Sequence, residues 1–321
     1  MRIDTNSGLL RQCVLGLALT AVGTVGSTSV AGTTVLFQQP LESGIANNIY
    51  VAHADKGGLP VGSWDQVVMQ EDPFTSTGHL VPTSWNAGSK TGFVPDSPST
   101  AQLGFRNQAG TSTAQMEGDT VGAYINSKDL PTTLSHQKMM ITPEYRFPLG
   151  ATPVPFAHST TQLNVEIDLQ IPWAVGGDTY VNADLLFYDP YGLRVSYNVK
   201  IFKNGSQEAL LGSHYDAIDN AYMINCPLYG NDSRFVTKAS TSGSSTGTPW
   251  SGWRHFQYSI DQAQFVAAIK RLAAQYPTKV RTTDPTQYVF AGIHLNAEFH
   301  YSPEPAELGW SMRGLKLWLS Y

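Results

Sequence analysis

Charged residues are scarce in this sequence: they make up 14% of 321 residues, and the formal net charge is −5. The basic residues are scattered, and a mildly acidic chain without a basic patch lacks the electrostatic footprint of a DNA- or RNA-binding protein. Low charge together with abundant glycine, proline, serine and threonine is typical of a loop-rich extracellular β protein. We therefore expect no nucleic-acid partner and a chain built mainly from strands.

Long apolar runs are also missing. Val14–Leu19 forms a short apolar stretch that cannot cross a bilayer, and no other segment is apolar enough to do so. Arg2 and Arg11 lie before this stretch, and small residues follow it. This order is the pattern of a secretory signal peptide. We predict a signal peptide over residues 1–31, one domain over 32–321, and a secreted protein that is extracellular or periplasmic.

Cysteine is nearly absent, since the chain has two and only Cys226 follows the predicted signal peptide. The domain therefore has no internal disulfide and must depend on its hydrophobic core, with Cys226 as a buried, inert thiol. The sequence also contains no phosphate loop, no dinucleotide fingerprint and no nucleophile elbow between a strand and a helix. We expect no cofactor, and we expect a monomer.

Four segments in the second half of the chain alternate between apolar and polar residues, as strands with one buried face do. They cover residues 164–171, 181–188, 193–201 and 288–300. Asp189-Pro190-Tyr191-Gly192 is a turn sequence that joins the second and third segments into a hairpin. The polar positions of the four segments are Asn164, Glu166, Asp168, Gln170, Asn182, Asp184, Arg194, Ser196, Asn198, Lys200, His294, Asn296, Glu298 and His300. We expect these positions to form one wide polar surface on an antiparallel sheet.

One helix is predicted over residues 261–276, because Phe265, Ile269 and Leu272 recur at helical spacing. Ser259 is the expected N-cap, and Pro277 ends the helix. The apolar stripe predicts a helix packed against a sheet. By contrast, residues 32–135 read as short strands and long loops whose order the sequence does not give, and residues 239–249 read as a flexible surface loop by composition.

The composition of the polar surface indicates carbohydrate as its ligand. A solvated sheet face is polar without any function, but such faces mostly carry threonine, serine, lysine and glutamate. This surface instead carries histidines, amides and carboxylates, which make directional hydrogen bonds, and aromatic residues such as Trp253 lie in neighbouring segments. The residues expected to bind a polysaccharide or oligosaccharide are His294, Asn296, His300, Asp168, Asn182, Arg194, Asn198 and Trp253.

Paired carboxylates would allow glycoside hydrolysis, in which one group protonates the leaving oxygen and the other attacks the sugar or activates water. Glu298 is the candidate acid, because it lies in the middle of its polar face. Asp184 and Glu166 are its candidate catalytic partners, and Asp168 could also take that role. The sequence does not distinguish a retaining from an inverting mechanism.

Two other chemistries use the same polar positions. His294, Glu298 and His300 share a strand face and could ligate a metal, although residues two apart on a strand are separated by about 6.5–7 Å, so that His294 would hardly reach. We therefore expect no metal site. In a polysaccharide lyase, a histidine or tyrosine would remove the proton next to a uronate carboxylate while Arg194 holds that carboxylate.

The closing part of the sequence follows a recognisable order. Trp253-Arg254-His255-Phe256 precedes the predicted helix, and Asn296-Ala297-Glu298-Phe299 precedes a final strand at 311–320. Upstream lies Ala183-Asp184-Leu185-Leu186-Phe187. Over roughly residues 178–321 this order resembles the glycoside hydrolases of family twelve, which are secreted endoglucanases and xyloglucanases.

The resemblance implies a concanavalin-like jelly roll: two antiparallel sheets with one helix on the convex side. It also implies that Glu298 stands at the position of the family's acid/base and Asp184 at that of the aspartate supporting its nucleophile. The strand that should carry the nucleophile, residues 194–200, contains no carboxylate, and Ala297 replaces the family's glycine. The leading hypothesis is a polysaccharide hydrolase, and the alternative is a glycan-binding protein without catalysis.

Overall fold

The structure is a computed structural model that describes part of the chain. The described residues are 32–38, 46–55, 65–71, 80–85, 93–95, 103–107, 113–117, 120–126, 137–147, 152–176, 178–205, 212–216, 221–228, 234–240, 242–243, 247–301 and 306–321, with the backbone alone over 46–117 and over most of 137–146. The predicted signal peptide lies outside them and stays a prediction.

Strands dominate the described residues, as the alternation and composition predicted. In chain order they are β1 (Thr33–Gln38), β2 (Ala46–Asp55), β3 (Asp65–Glu71), β4 (Leu80–Trp85), β5 (Phe93–Pro95), β6 (Leu103–Asn107), β7 (Thr113–Glu117), β8 (Thr120–Asn126), β9 (Gln137–Arg146), β10 (Gln162–Val175), β11 (Asp178–Tyr188), β12 (Arg194–Lys203), β13 (Gly212–Asp216), β14 (Ala221–Pro227), β15 (Thr237–Lys238), β16 (Trp250–Asp261), β17 (Val289–Tyr301) and β18 (Glu307–Ser320). One α-helix, α1 (Gln262–Gln275), follows β16, and a short 3₁₀ turn covers Pro285–Gln287.

The described strands form two nine-stranded sheets. Sheet 1 has the order β15-β16-β10-β18-β8-β7-β6-β5, and β1 pairs with the second half of β18 beyond the end of β8. Sheet 2 has the order β13-β14-β12-β11-β17-β9-β2-β3-β4. All described pairs are antiparallel except β12 with β14. This confirms the predicted fold class, an all-β sandwich of two antiparallel sheets with a single helix.

One hydrophobic core joins the two sheets. Alternate side chains of β10, such as Val165 and Ile167, enter it from sheet 1, and those of β11, such as Ala183 and Leu185, enter it from sheet 2. Burial of such side chains from both sheets supplies most of the stabilisation of a sandwich. Cys226 lies in this core as a free, buried thiol, in agreement with its predicted role.

The helix covers part of the apolar face of sheet 2. The ring of Phe265 lies 4.8 Å from that of Phe187 and 4.6 Å from that of Phe156, measured between centroids. Ile269 and Leu272 are fully buried beside it. The helix is thus amphipathic and packed on a sheet, as its spacing predicted, and it lies on the side opposite to the polar positions of β11 and β12.

The beginning of the helix differs from the prediction. The N-cap is Asp261, whose side chain accepts a hydrogen bond from the backbone N–H of Gln264 at 2.7 Å. The Gln264 side chain accepts from the Asp261 N–H at 3.1 Å, which completes a capping box. Ser259 instead pairs with Asn164 inside β16, so its assignment as the cap was wrong: the strand continues to the residue at which the helix begins.

The described residues of the segment 239–249 make hydrogen bonds that its composition did not suggest. The backbone N–H groups of Ala239 and Gly243 donate to carbonyl oxygens of Gln257 and His255 on β16, at 3.0 and 2.6 Å. The Ser242 hydroxyl accepts from the N–H of Gln257 at 3.1 Å. These described residues therefore lie along a sheet edge. Within the described part of the chain, no helix is long and apolar enough to span a membrane.

Candidate functional site

Three of the four predicted polar segments do meet in one sheet. In sheet 2, β11 lies between β12 and β17, so that their polar positions fall into rows across the strands. One row places Asp184 between Asn198 and His294. The next row places Asn182 between Lys200 and Asn296. Paired positions on antiparallel strands share a face, so these residues form one polar surface, which we call the sheet-2 polar face.

The sheet-2 polar face is buried, whereas a solvated face would be exposed. Asn182 is 0% exposed, Glu298 2% and Asp184 4%. Ser196, Asn198 and Asn296 are buried as well. Removing amides and carboxylates from water is costly unless hydrogen bonds replace those to solvent, so this concentration of buried polar groups sets the surface apart from ordinary sheet faces.

Asn182 is the most unusual member of the face. Neither its amide nitrogen nor its amide oxygen has a hydrogen-bond partner in the described structure, although both atoms are fully buried. The side-chain oxygen of Asn198 on the neighbouring strand likewise has no hydrogen bond there. An unsatisfied buried amide costs about 1–3 kcal/mol of stability. These atoms can donate to and accept from a group that the described chain does not provide.

A cation lies beside the amides. The ammonium of Lys200 is 5.4 Å from the ring centroid of Tyr180, which itself lies opposite Glu298 in the register. Sequence reasoning did not include either residue among the site residues, although Lys200 was part of the alternating pattern. Tyr180 was missed because the predicted strand began one residue later, while β11 begins at Asp178.

The two principal carboxylates are separated along the sheet. Glu298 is opposite Tyr180 and Asp184 is opposite His294, four residues further along each strand. At 3.2–3.4 Å per residue this offset is about 13 Å along the strand direction. Glycosidase carboxyl groups are roughly 5–9.5 Å apart, so Glu298 and Asp184 would reach that range only with both side chains leaning towards each other.

Glu166 and Asp168 do not belong to this face. They lie on β10 in sheet 1, where their apolar neighbours Val165 and Ile167 enter the core and they project to the opposite outer surface of the sandwich. The prediction that all four polar segments share one surface was therefore wrong for β10. Since stacked sheets are about 10 Å apart, neither residue can act with Glu298 on one substrate bond.

Trp253 lies on that same outer surface of sheet 1. Its ring is covered by the guanidinium of Arg313, whose Cζ is 4.3 Å from the ring centroid. Arg313 also pairs with Asp168 at 3.4 Å, and Asp168 pairs with His255 at 3.0 Å. Other neighbouring aromatics, Trp250 and Trp310, are core residues. The structure thus separates these side chains from the sheet-2 polar face.

The remaining predicted residues lie at the ends of the face. His300 is opposite Asp178 on one side and Lys138 on the other, near the end of β17. Arg194 begins β12, opposite Tyr188. The sequence also gave no sign that Glu144 of β9 occupies the register position opposite His294, because β9 contains no clear alternation. Among the described residues, no group of three or more His, Cys, Asp or Glu side chains is arranged to hold a metal ion.

The arrangement defines a class of protein: a two-sheet β sandwich that buries amides and carboxylates, with a partly buried histidine beside them, on the outer face of one sheet. No protein-family model matches this sequence, and no curated protein matches it. Solved structures do, at low sequence identity.

Three of the solved structures are carbohydrate-active enzymes. The family 11 xylanase from Neocallimastix patriciarum is 12% identical, covers 72% of this chain and 96% of its own, and has a TM-score of 0.31. The xyloglucanase domain of NopAA from Sinorhizobium fredii, solved with cellobiose, is 13% identical and covers 70% and 95%, with a TM-score of 0.31. Endoglucanase 3 of family 12 from Trichoderma harzianum is 8% identical and covers 72% and 94%, with a TM-score of 0.29. At these identities and TM-scores, the similarity assigns no activity to this chain.

Proposed function

We propose that this chain is a secreted carbohydrate-binding protein that recognises a polysaccharide or oligosaccharide through the sheet-2 polar face. The observation that carries the proposal is the fully buried Asn182 side chain, whose amide has no hydrogen-bond partner in the described structure. Native proteins rarely retain such a group without a reason, because replacing it with an apolar residue would increase stability.

The chemistry of the face matches the hydroxyl groups of a sugar. Each hydroxyl donates one hydrogen bond and accepts others, and an asparagine side chain offers two donors and one acceptor oxygen. Asn182 and Asn296 are opposite each other on adjacent strands, at the roughly 4.8 Å spacing of a sheet, and Asn198 lies on the other neighbouring strand, opposite Asp184. Because the face is buried, the atoms that cover it must move when a ligand enters, and association is expected to be slower than for a preformed groove.

The test measures binding and stability in the same variant. Asn182→Leu should abolish binding to the glycans that wild type recognises on a glycan array, and at the same time should raise the free energy of unfolding by about 1 kcal/mol, since it removes an unsatisfied buried amide. Urea denaturation gives the second quantity. Unchanged glycan binding by Asn182→Leu would contradict the proposal.

Asn164→Leu is the matched control. Asn164 is also a buried asparagine, but its amide donates to the carbonyl oxygens of Gln162 and Trp318 and to the Ser320 hydroxyl, at 3.1, 3.4 and 3.0 Å. It lies in sheet 1, away from the proposed site. This variant should lose about 1–3 kcal/mol of stability and keep its glycan binding.

A glycoside hydrolase is the second candidate, because Glu298 and Asp184 are two buried carboxylates on the same face. In this role Glu298 acts as the acid/base and Asp184 as its partner. Prolonged incubation with the bound glycans should then release new reducing ends, and Glu298→Gln should stop that release while preserving binding. Binding without any product in wild type favours the non-catalytic function.

A further inference from the structure

A pocket lies at the end of sheet 2, away from Asn182. It has a volume of about 250 Å³ and lies between the β11–β12 turn and the segment that follows α1. The turn contributes Tyr191 and Arg194, while Thr278, Lys279 and Arg281 come from the segment after the helix. Sequence reasoning missed the last three because nothing in the local pattern indicates that this segment reaches the turn.

The turn is fixed by its own hydrogen bonds. One carboxylate oxygen of Asp189 accepts from the backbone N–H groups of Tyr191 and Leu193, at 2.9 and 2.7 Å. Gly192 has φ of +83°, a left-handed conformation that glycine adopts without strain. The Tyr191 side chain is 56% exposed, and the guanidinium of Arg281 lies 5.4 Å from the centre of its ring.

The lining of the pocket is strongly basic, although the whole chain has a net charge of −5. Arg194, Lys279 and Arg281 all line it, and among the described residues no carboxylate does. Two carboxylates in the adjoining segments, Asp189 and Asp284, are engaged in hydrogen bonds within those segments. The buried Asp189 accepts the hydrogen bonds of the turn. Asp284 accepts from the N–H and hydroxyl of Thr286, at 3.0 and 2.7 Å. Three cations around a small concave volume create a local positive potential that favours an anion.

Neutral donors complete the lining. Tyr222 and Thr278 bring hydroxyl groups to the pocket. Burial, followed by the neighbouring Tyr215 and Tyr276, raises the pKa of the Tyr222 phenol, so it remains a neutral hydroxyl that can donate. Arginine side chains bind carboxylate and sulfate through paired, charge-assisted hydrogen bonds.

From this lining we infer that the pocket between the β11–β12 turn and the segment after α1 binds an oxyanion group, the carboxylate or sulfate ester of an acidic saccharide. A volume of about 250 Å³ is below the roughly 300–1,000 Å³ of pockets that enclose whole small ligands, which suits one acidic group with part of its sugar ring. The choice of a saccharide rests on the proposed function, whereas the anion site itself does not, since none of the pocket's three cations is among the residues around Asn182.

The test uses isothermal titration calorimetry with trigalacturonate, a sulfated chondroitin tetrasaccharide, sodium sulfate and neutral cellotriose. All titrations are run in the Asn182→Leu background, so that binding at the sheet-2 polar face does not contribute to the result. Both acidic saccharides should bind, the affinity should fall as salt is raised, and cellotriose should not bind. Sodium sulfate binding as strongly as the saccharides would limit the site to free inorganic anions and overturn the saccharide assignment.

The variant Lys279→Gln/Arg281→Gln removes two of the three cations and should weaken acidic saccharide binding about tenfold or more. Both side chains are exposed, so the fold should persist, and circular dichroism checks this. The matched control is Lys238→Gln/Lys270→Gln, which removes the same charge from exposed positions outside the pocket. Equal weakening in the two double variants, or no binding by the parent protein, would overturn the inference.

Discussion

At the scale of single residues, two buried residues of the same type can differ in their hydrogen bonds. Asn164 and Asn182 are both buried in strands, yet the first makes three hydrogen bonds and the second makes none within the described structure. The sequence presents both as polar residues in an alternating pattern. Only the neighbours across the strands distinguish a structural asparagine from a candidate binding residue.

Gly243 gives a prediction at this scale. A Cβ atom at this position would lie 2.9 Å from the carbonyl oxygen of His255, which is backbone and cannot rotate away. Gly243→Ala should therefore lower the free energy of unfolding by about 1–3 kcal/mol, as overpacking does. The quantity is measured by urea denaturation.

Gly212→Ala serves as the comparison for Gly243→Ala. The nearest atom to its Cβ would be the side-chain nitrogen of Asn225 at 3.8 Å, which is an ordinary contact. The stability of Gly212→Ala should stay the same or rise slightly, because alanine reduces the conformational freedom of the unfolded chain. Equal losses in the two variants would show that the close approach at Gly243 is not the cause.

At the scale of elements, the helix and the β11–β12 hairpin were the parts most accessible to sequence reasoning. The hairpin turn forms at Asp189 as predicted, with the Asp189 N–H donating to the Leu193 carbonyl at 3.1 Å. The helix was correctly placed because its apolar spacing and the following proline are local signals. Its cap was misassigned because serine and aspartate are equally good caps, and only strand pairing shows that Ser259 is still extended.

The capping box gives a prediction at this scale. Asp261→Ala should destabilise the protein by about 1 kcal/mol, since it leaves the N–H of Gln264 without its acceptor. Asp261→Asn should retain most of the stability. Thermal and urea denaturation measure both.

Ser259→Ala is the control for the cap. If Ser259 were the cap, this variant would show the larger loss, which is the opposite of what the structure indicates.

At the scale of the whole molecule, the core determines how the protein responds to alkali. Burial raises the pKa of the Tyr258 phenol well above its usual value, and the charge of Asp184 raises it further. Burial likewise raises the pKa values of Tyr197 and Tyr288. In the unfolded chain these phenols ionise near pH 10, so the native state holds their protons more tightly.

The sign of the pH effect follows from this difference. The stabilisation from the three buried phenols is fully present below about pH 10. It is lost as the pH rises, because the unfolded state then releases protons that the native state retains. The midpoint of urea unfolding should fall above pH 10, and phenolate absorbance should increase together with unfolding. Phenolate absorbance from the core tyrosines in the folded protein near pH 10 would contradict this prediction.

In Tyr258→Phe, the midpoint of urea unfolding should fall less above pH 10 than in wild type, without a loss of stability at neutral pH. The Tyr258 hydroxyl is buried and has no hydrogen bond in the described structure, so its removal leaves no partner unsatisfied. The surface variant Tyr321→Phe, at a residue that is 43% exposed, should leave the fall of the midpoint as it is in wild type.

The sequence by itself determined the all-β class and the single helix of the described residues, and it determined which side chains share a face within each strand. Both properties are local, since alternation with a period of two follows from the geometry of a single strand. The tertiary structure decided which strands became neighbours. β10 has the same alternation as β11, β12 and β17, yet it pairs with β16 and β18 in the other sheet, which removes Glu166 and Asp168 from the sheet-2 polar face. It also decided that this face is buried and that Lys279 and Arg281 line the same pocket as Arg194, because both depend on contacts between residues distant in the chain.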